Sequence, residues 1–97
     1  MCGIVEFLKI NNLKFTFDPE KIIRDMVEEV KTRGPDFQDY WSDLKSQIYL
    51  GHSRLAVIDL NSRSNQPISS LDKRWTIVYN GEIYNYRKLK KLLPNNQ

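Results

Sequence analysis

The sequence predicts an α+β domain. Three observations carry this: short runs of β-branched and aromatic residues bounded by turn residues, two apolar stretches at helical spacing with start and stop signals, and their order. That order is strand, helix, several strands, helix. At 97 residues the chain forms at most one small domain, less completely buried than a domain of ordinary size.

Residues 3–10 (GIVEFLKI) read as a short, mostly buried strand, and Asn11-Asn12 as the turn after it. Asp18-Pro19-Glu20 is a helix start, with Asp18 as N-cap, Pro19 at the first helical position and Glu20 suited to the first turn. Ile22, Ile23, Met26, Val27 and Val30 then make one apolar stripe that reads as core. Thr32-Arg33-Gly34-Pro35 stops the helix, with a glycine able to take the left-handed cap and a proline that cannot continue. After Trp41, residues 47–53 (QIYLGHS) have strand character and residues 55–60 (LAVIDL) extend it. Residues 61–66 (NSRSNQ) form a polar loop that ends at Pro67. Residues 75–79 (WTIVY) are the clearest strand and run into Asn80-Gly81, a dipeptide that commonly makes a type I′ hairpin turn. Asn85 can cap a last helix over residues 86–93, which packs through Leu89, Leu92 and Leu93 and stops at Pro94.

Composition narrows the function classes. A hydrophobic fraction of 40% and a charged fraction of 28% are those of a soluble globular chain. One cysteine excludes an intramolecular disulfide framework, and no Cys/His spacing suggests zinc, so no metal site is expected. No apolar run is long enough to span a membrane and no leader pattern is present, which makes the cytoplasm the default. The net charge of +3 and pI near 9.1 invite a nucleic-acid reading. The excess sits on Arg87, Lys88, Lys90 and Lys91, which read as a solvated helix face, and no RNA- or DNA-binding motif accompanies them.

The only cysteine is residue 2, in Met1-Cys2-Gly3-Ile4. Removal of Met1 would place a thiol on the residue that carries the free α-amine. That amine has a pKa near ~8, so it is partly unprotonated at neutral pH and can act as a base. A nucleophile paired with an N-terminal amine is a minimal engine for acyl transfer. His52, the only histidine, is the alternative base.

Four segments line up in one order: Met1-Cys2-Gly3-Ile4, Arg33-Gly34-Pro35-Asp36, Gly51-His52-Ser53-Arg54-Leu55-Ala56-Val57-Ile58-Asp59-Leu60 leading to Asn65-Gln66-Pro67, and Asn80-Gly81-Glu82-Ile83-Tyr84-Asn85. Together they resemble the glutaminase domain of class II glutamine amidotransferases, and most of all its asparagine synthetase branch. The resemblance covers nearly the whole chain. It implies an N-terminal nucleophile hydrolase fold, an α-β-β-α sandwich of which about the first half, residues 1–97, is present. It implies hydrolysis of glutamine to glutamate and ammonia through a thioester on Cys2, with the α-amine as base and His52 structural. It implies that Asn80 and Gly81 form the oxyanion hole, that Arg54 holds the substrate α-carboxylate, that backbone groups of Leu55 and Val57 line the pocket, and that Glu82 helps recognise the amino-acid head. Arg33 and Asp36 are expected to fix their turn by local charge pairing, and Gln66 and Pro67 to shape the loop beside the pocket.

The same resemblance implies no cofactor in this chain; ATP and magnesium would belong to a synthetase domain beyond it. The implied partners are glutamine and either the synthetase half or another copy of the chain, with no nucleic acid and no membrane. An oligomer is expected, because half a sandwich leaves strand edges and an apolar sheet face uncovered. The alternative function is a catalytically inactive relative that serves as a binding or assembly piece. A small basic RNA-binding domain fits only the net charge. In two respects the chain departs from the family pattern. Glu6 stands where the family usually has a small residue, so its carboxylate must reach solvent or a partner. The segment that in the family supplies an aspartate for the substrate ammonium would lie beyond Gln97.

Overall fold

A computed structural model describes residues 2–10, 16–57 and 60–94. The expected Asn11-Asn12 turn, Met1, and Ile58-Asp59 of the third motif lie outside the described residues. The architecture is α+β: helix α1 (Pro19–Glu29) lies on one face of a three-stranded antiparallel sheet of β1 (Gly3–Leu8), β2 (Phe37–Asp43) and β3 (Ile48–Arg54). β3 is the central strand, and the order is β1-β3-β2. A two-stranded ribbon of β4 (Ile68–Ser69) and β5 (Thr76–Ile77) comes next, then helix α2 (Tyr86–Leu92).

The start of α1 forms as its sequence dictates. Asp18 is extended and its side chain accepts the Glu20 N–H at 3.1 Å, and Pro19 opens the helix. Ile23 and Val27 are the buried pair of the stripe, at 0% and 5% exposure, and each contributes about 1.5–3 kcal/mol by leaving water. They rest on the sheet face that carries Gly3, Val5, Gly51 and Ser53. A Cβ on Gly51 would stand 2.3 Å from a Val27 methyl, so only a glycine lets the helix come this close. Ser53 Oγ donates to the Val27 carbonyl at 3.0 Å, and Tyr40 Oη donates to Glu20 at 2.7 Å, which ties β2 to the first turn of α1.

The helix stop differs from expectation. It ends at Glu29 with Val30 as C-cap, and a 3₁₀ turn over Lys31–Arg33 succeeds it. Gly34 has φ −149°, so it is no left-handed cap. Its small size serves a close approach instead. A Cβ there would lie 2.0 Å from the Ser53 carbonyl oxygen.

β2 has no counterpart among the predicted strands. Gln38, Asp39, Ser42 and Asp43 interrupt its aromatic residues, so it shows little hydrophobic contrast, yet pairing with β3 supplies its backbone partners. The β2–β3 turn is set by Asp43, whose side chain accepts the Lys45 N–H at 3.1 Å, and by Gln47 at φ 55°. Residues 55–57 leave the sheet rather than extending β3. β1 and β2 begin opposite Ser53 and Arg54, at Gly3 and Phe37, and no ladder partner remains beyond them. Of the expected strand over residues 75–79 only Thr76–Ile77 is paired, because β4 offers only Ile68 and Ser69. α2 does not pack as expected: every residue in it is exposed, Leu92 at 75%, and Asn85 makes no side-chain cap bond. Its basic residues are solvated, as their pattern predicts.

Glu6 alternates with Val5 and so points away from α1, opposite Leu50, where its carboxylate is exposed. That face also carries Ile4 and Leu8, exposed at 37% and 58%.

Because Gly34 meets backbone rather than a movable side chain, Gly34→Ala is expected to destabilise the fold by about 1–3 kcal/mol. Urea unfolding reads this as a lowered midpoint, and an unchanged midpoint would show that the turn can retreat from β3.

Candidate active site

The β1–β3 register builds the site. Gly3 lies opposite Ser53, so Cys2, one residue before β1, meets the chain just after β3. The Leu55 N–H donates to Cys2 Sγ at 3.3 Å, and Sγ lies 3.8 Å from the Leu55 carbonyl oxygen, to which the thiol donates. Cys2 is half-buried.

Arg54 ends β3 and is 7% exposed. Its Nη1 donates to the Asn61 carbonyl at 2.9 Å and to Asn65 Oδ1 at 2.8 Å. These two bonds hold one nitrogen of the guanidinium, a planar group whose fork of donors matches carboxylates in general. Asp36 holds the backbone on either side of Leu55: its N–H donates to the Arg54 carbonyl at 2.9 Å and its Oδ2 accepts the Ala56 N–H at 2.7 Å. The expected Arg33–Asp36 charge pairing does not form among the described residues. Asp36 acts through backbone hydrogen bonds because its turn lies against the end of β3, whereas Arg33 is exposed.

The second wall is the segment after β5. The His52 Nε2 lies 3.3 Å from the Tyr79 carbonyl oxygen, and Gln66 Oε1 accepts the Tyr79 N–H at 2.5 Å. Gln66 thus shapes the loop beside the pocket as expected, and its bond to Pro67 is cis. No described glycine has a positive φ, so Asn80-Gly81 is not a type I′ turn, which requires positive φ at both positions. The ribbon instead joins β4 to β5, and the chain past Asn80 runs on toward α2.

Between these walls lies a cleft of about 570 Å³. Cys2, Arg54, Leu55, Val57, Asn80, Gly81 and Glu82, the residues singled out from the sequence, all line it. Its size is that of a small-molecule site. Ser64, Gln66, Tyr79 and Tyr84 complete the lining. Sequence reasoning gives no site role to Ser64, to Tyr79 or to Tyr84, the last although it stands within the fourth motif; the closeness of both tyrosines to Asn80-Gly81-Glu82 along the chain is the signal that could find them. Among the described residues no group of three His, Cys, Asp or Glu side chains could hold a metal ion. No helix among them is long and apolar enough to cross a membrane.

The family described as the glutamine amidotransferase domain matches residues 1–97. The chain belongs to this family. It is 38% identical over 93 residues to asparagine synthetase (glutamine-hydrolyzing) 1 of Bacillus subtilis strain 168, a match covering 96% of the chain and 14% of that relative. It is 39% identical over 99 residues to asparagine synthetase (glutamine-hydrolyzing) 1 of Lotus japonicus, covering 100% of the chain and 16% of the relative. The glutamine-hydrolyzing asparagine synthetase of Triphysaria versicolor is 38% identical over 101 residues, again covering 100% and 16%. The chain therefore spans less than a fifth of the length of these curated relatives. No solved structure matches it significantly.

In this amidotransferase domain His52 is not paired with the cysteine. It is 0% exposed, its described partner is the Tyr79 carbonyl, and Cys2 Sγ is engaged by Leu55. Burial pushes the imidazole pKa below its ordinary 6.5; the Tyr79 hydrogen bond opposes this, and the Arg54 charge adds to it. Between the folded value and 6.5 the unfolded chain binds a proton that the folded chain does not, so stability falls as pH drops through that window. His52→Gln is expected to flatten this part of the profile, measured as urea midpoints at about pH 7 and about pH 5. A slope unchanged by the replacement would assign it to other groups.

Proposed function

We propose that this chain is the nucleophile-bearing part of a glutaminase, hydrolysing glutamine to glutamate and ammonia through a thioester on Cys2. The observation that carries the reading is the single cleft in which the sole thiol, a buried arginine and the Asn80-Gly81-Glu82 segment face one another. With Met1 removed, the Cys2 α-amine takes the thiol proton, and the thiolate attacks the carboxamide carbon of glutamine. The tetrahedral oxyanion is met by the Asn80 side-chain amide and the Gly81 N–H; removing such a donor typically costs about 3–4 kcal/mol of barrier. The ammonium formed on Cys2 returns its proton to the departing nitrogen, ammonia leaves, and water hydrolyses the thioester to glutamate. Arg54 pairs with the substrate α-carboxylate. Its rigid seat at the end of β3, braced by Asn61 and Asn65, supports that role. Leu55 and Val57 line the pocket beside it, and Glu82 helps hold the amino-acid head.

In this reading residues 1–97 are the front half of an N-terminal nucleophile hydrolase sandwich. The exposed face with Ile4, Glu6 and Leu8 is where its second sheet would lie. The ammonia would pass to a synthetase half, in keeping with relatives named glutamine-hydrolyzing asparagine synthetases, and ATP and magnesium would serve that half; the uncovered sheet face supports dependence on further protein. Glutamine is the substrate, and the cytoplasm its setting.

The test is intact mass of the native protein after treatment with a diazoketone analogue of glutamine. A single adduct on Cys2 is expected, lost in Cys2→Ala and in a form that retains Met1. Equal labelling of the Met1-retaining form would remove the α-amine from the mechanism, and no adduct on the native protein would overturn the glutaminase reading.

A further inference from the structure

Tyr79 is held from two sides by side chains that belong to different parts of the chain. β5 ends at Ile77, so no ladder partner serves Tyr79. Its N–H donates to Gln66 Oε1 from the polar loop, and its carbonyl lies 3.3 Å from His52 Nε2 on the central strand. A carbonyl oxygen only accepts, so Nε2 carries the proton and Nδ1 the lone pair. Nδ1 is buried without a partner among the described residues. An apolar side chain of similar size would fill this space without stranding a nitrogen. Among the described residues the hydrogen bonding of His52 is therefore directed at Tyr79.

Beyond the Tyr79 ring, which packs against Gly81, the segment after Tyr79 has no hydrogen-bonded anchor among the described residues. Among the described residues Asn80, Gly81 and Glu82 make no hydrogen bond, and the next fixed point is the Ile83 carbonyl, which accepts the Tyr86 N–H at 3.1 Å. The Tyr79 carbonyl and the Asn80 N–H share one planar peptide unit, so fixing the oxygen fixes the plane from which Asn80 departs. Oxyanion donors are sensitive to small displacements, and an error of about 1 Å can cost on the order of 100-fold in rate.

We infer that His52 and Gln66 are positioning residues that clamp the two peptide units on either side of the Tyr79 Cα, His52 the one shared with Asn80, and thereby set Asn80 and Gly81 against Cys2. The inference rests on the oxyanion role given to those two residues above. Neither positioning residue acts as acid, base or nucleophile here.

Glutamine places an amide nitrogen where the imidazole has Nε2, whereas the shorter asparagine reaches only the Nδ1 position. In the native protein, His52→Asn and Gln66→Leu should each lower kcat by about tenfold or more while KM stays within about threefold. His52→Gln should restore most of kcat. Amide NMR shifts of Asn80 and Gly81 should move in His52→Asn and Gln66→Leu but return toward native in His52→Gln. Native kcat in both His52→Asn and Gln66→Leu would overturn the inference, as would equal impairment in His52→Gln and His52→Asn. If His52→Asn fails to fold, Gln66→Leu alone decides. A native protein without glutaminase activity would count against the proposed function, and the amide shifts would still decide the clamp: unmoved shifts would overturn it.

Discussion

The antiparallel pairing of β1 with β3 is the constraint on which the rest depends. It joins the first residues of the chain to residues some fifty positions later, and the loop closure is repaid only if the ladder forms along its length. Once Gly3 stands opposite Ser53, the thiol of Cys2 has one place to go, beside the Leu55 peptide. A slip of β1 by one residue would turn Val5 away from α1 and put Ile4 or Glu6 in its place. The register is thus held by packing against Ile23 and Val27, and the position of the Cys2 thiol is a consequence of it.

The end of the sheet is shaped by close backbone contact rather than by side-chain bulk. Gly34 brings its turn against the Ser53 carbonyl, and Asp36 of that turn grips the backbone before and after Leu55. The second motif therefore serves the third: it directs the chain out of β3 so that Arg54 is buried and Leu55 meets the thiol. The opposite wall has no such support from regular structure. It depends on His52 and Gln66, which take the place of a strand partner for Tyr79.

Much of this was legible in the sequence, and the remainder was hidden for physical reasons. β1, α1 and β3 carry local signals: an apolar run, a capped start with a 3.6-residue stripe, and the short apolar run Ile48-Tyr49-Leu50. β2 was missed because its polar residues mask its pattern, and its stability comes from a partner distant in sequence. The run at residues 75–79 was overextended for the converse reason, since its composition favours a strand but only Ile68 and Ser69 are there to pair with it. Gly34 reads in sequence as able to take a left-handed cap, whereas its role is steric, a distinction that composition does not encode. The candidate site residues came from motif resemblance, and the cleft gathers all of them. The clamp on Tyr79 joins side chains to a backbone carbonyl and N–H, which leave no trace in residue identity.

The proposed chemistry centres on one arrangement, with Cys2, Arg54 and the Asn80-Gly81 segment acting on a single glutamine. A crystal structure of the native protein carrying the covalent diazoketone adduct tests it most directly. The expected result is a bond from Cys2 Sγ, the adduct carbonyl oxygen within hydrogen-bond distance of the Asn80 side chain and the Gly81 N–H, and the α-carboxylate on the Arg54 guanidinium. An adduct on Cys2 whose carboxylate lies away from Arg54 and whose carbonyl oxygen points away from Asn80 and Gly81 would contradict it.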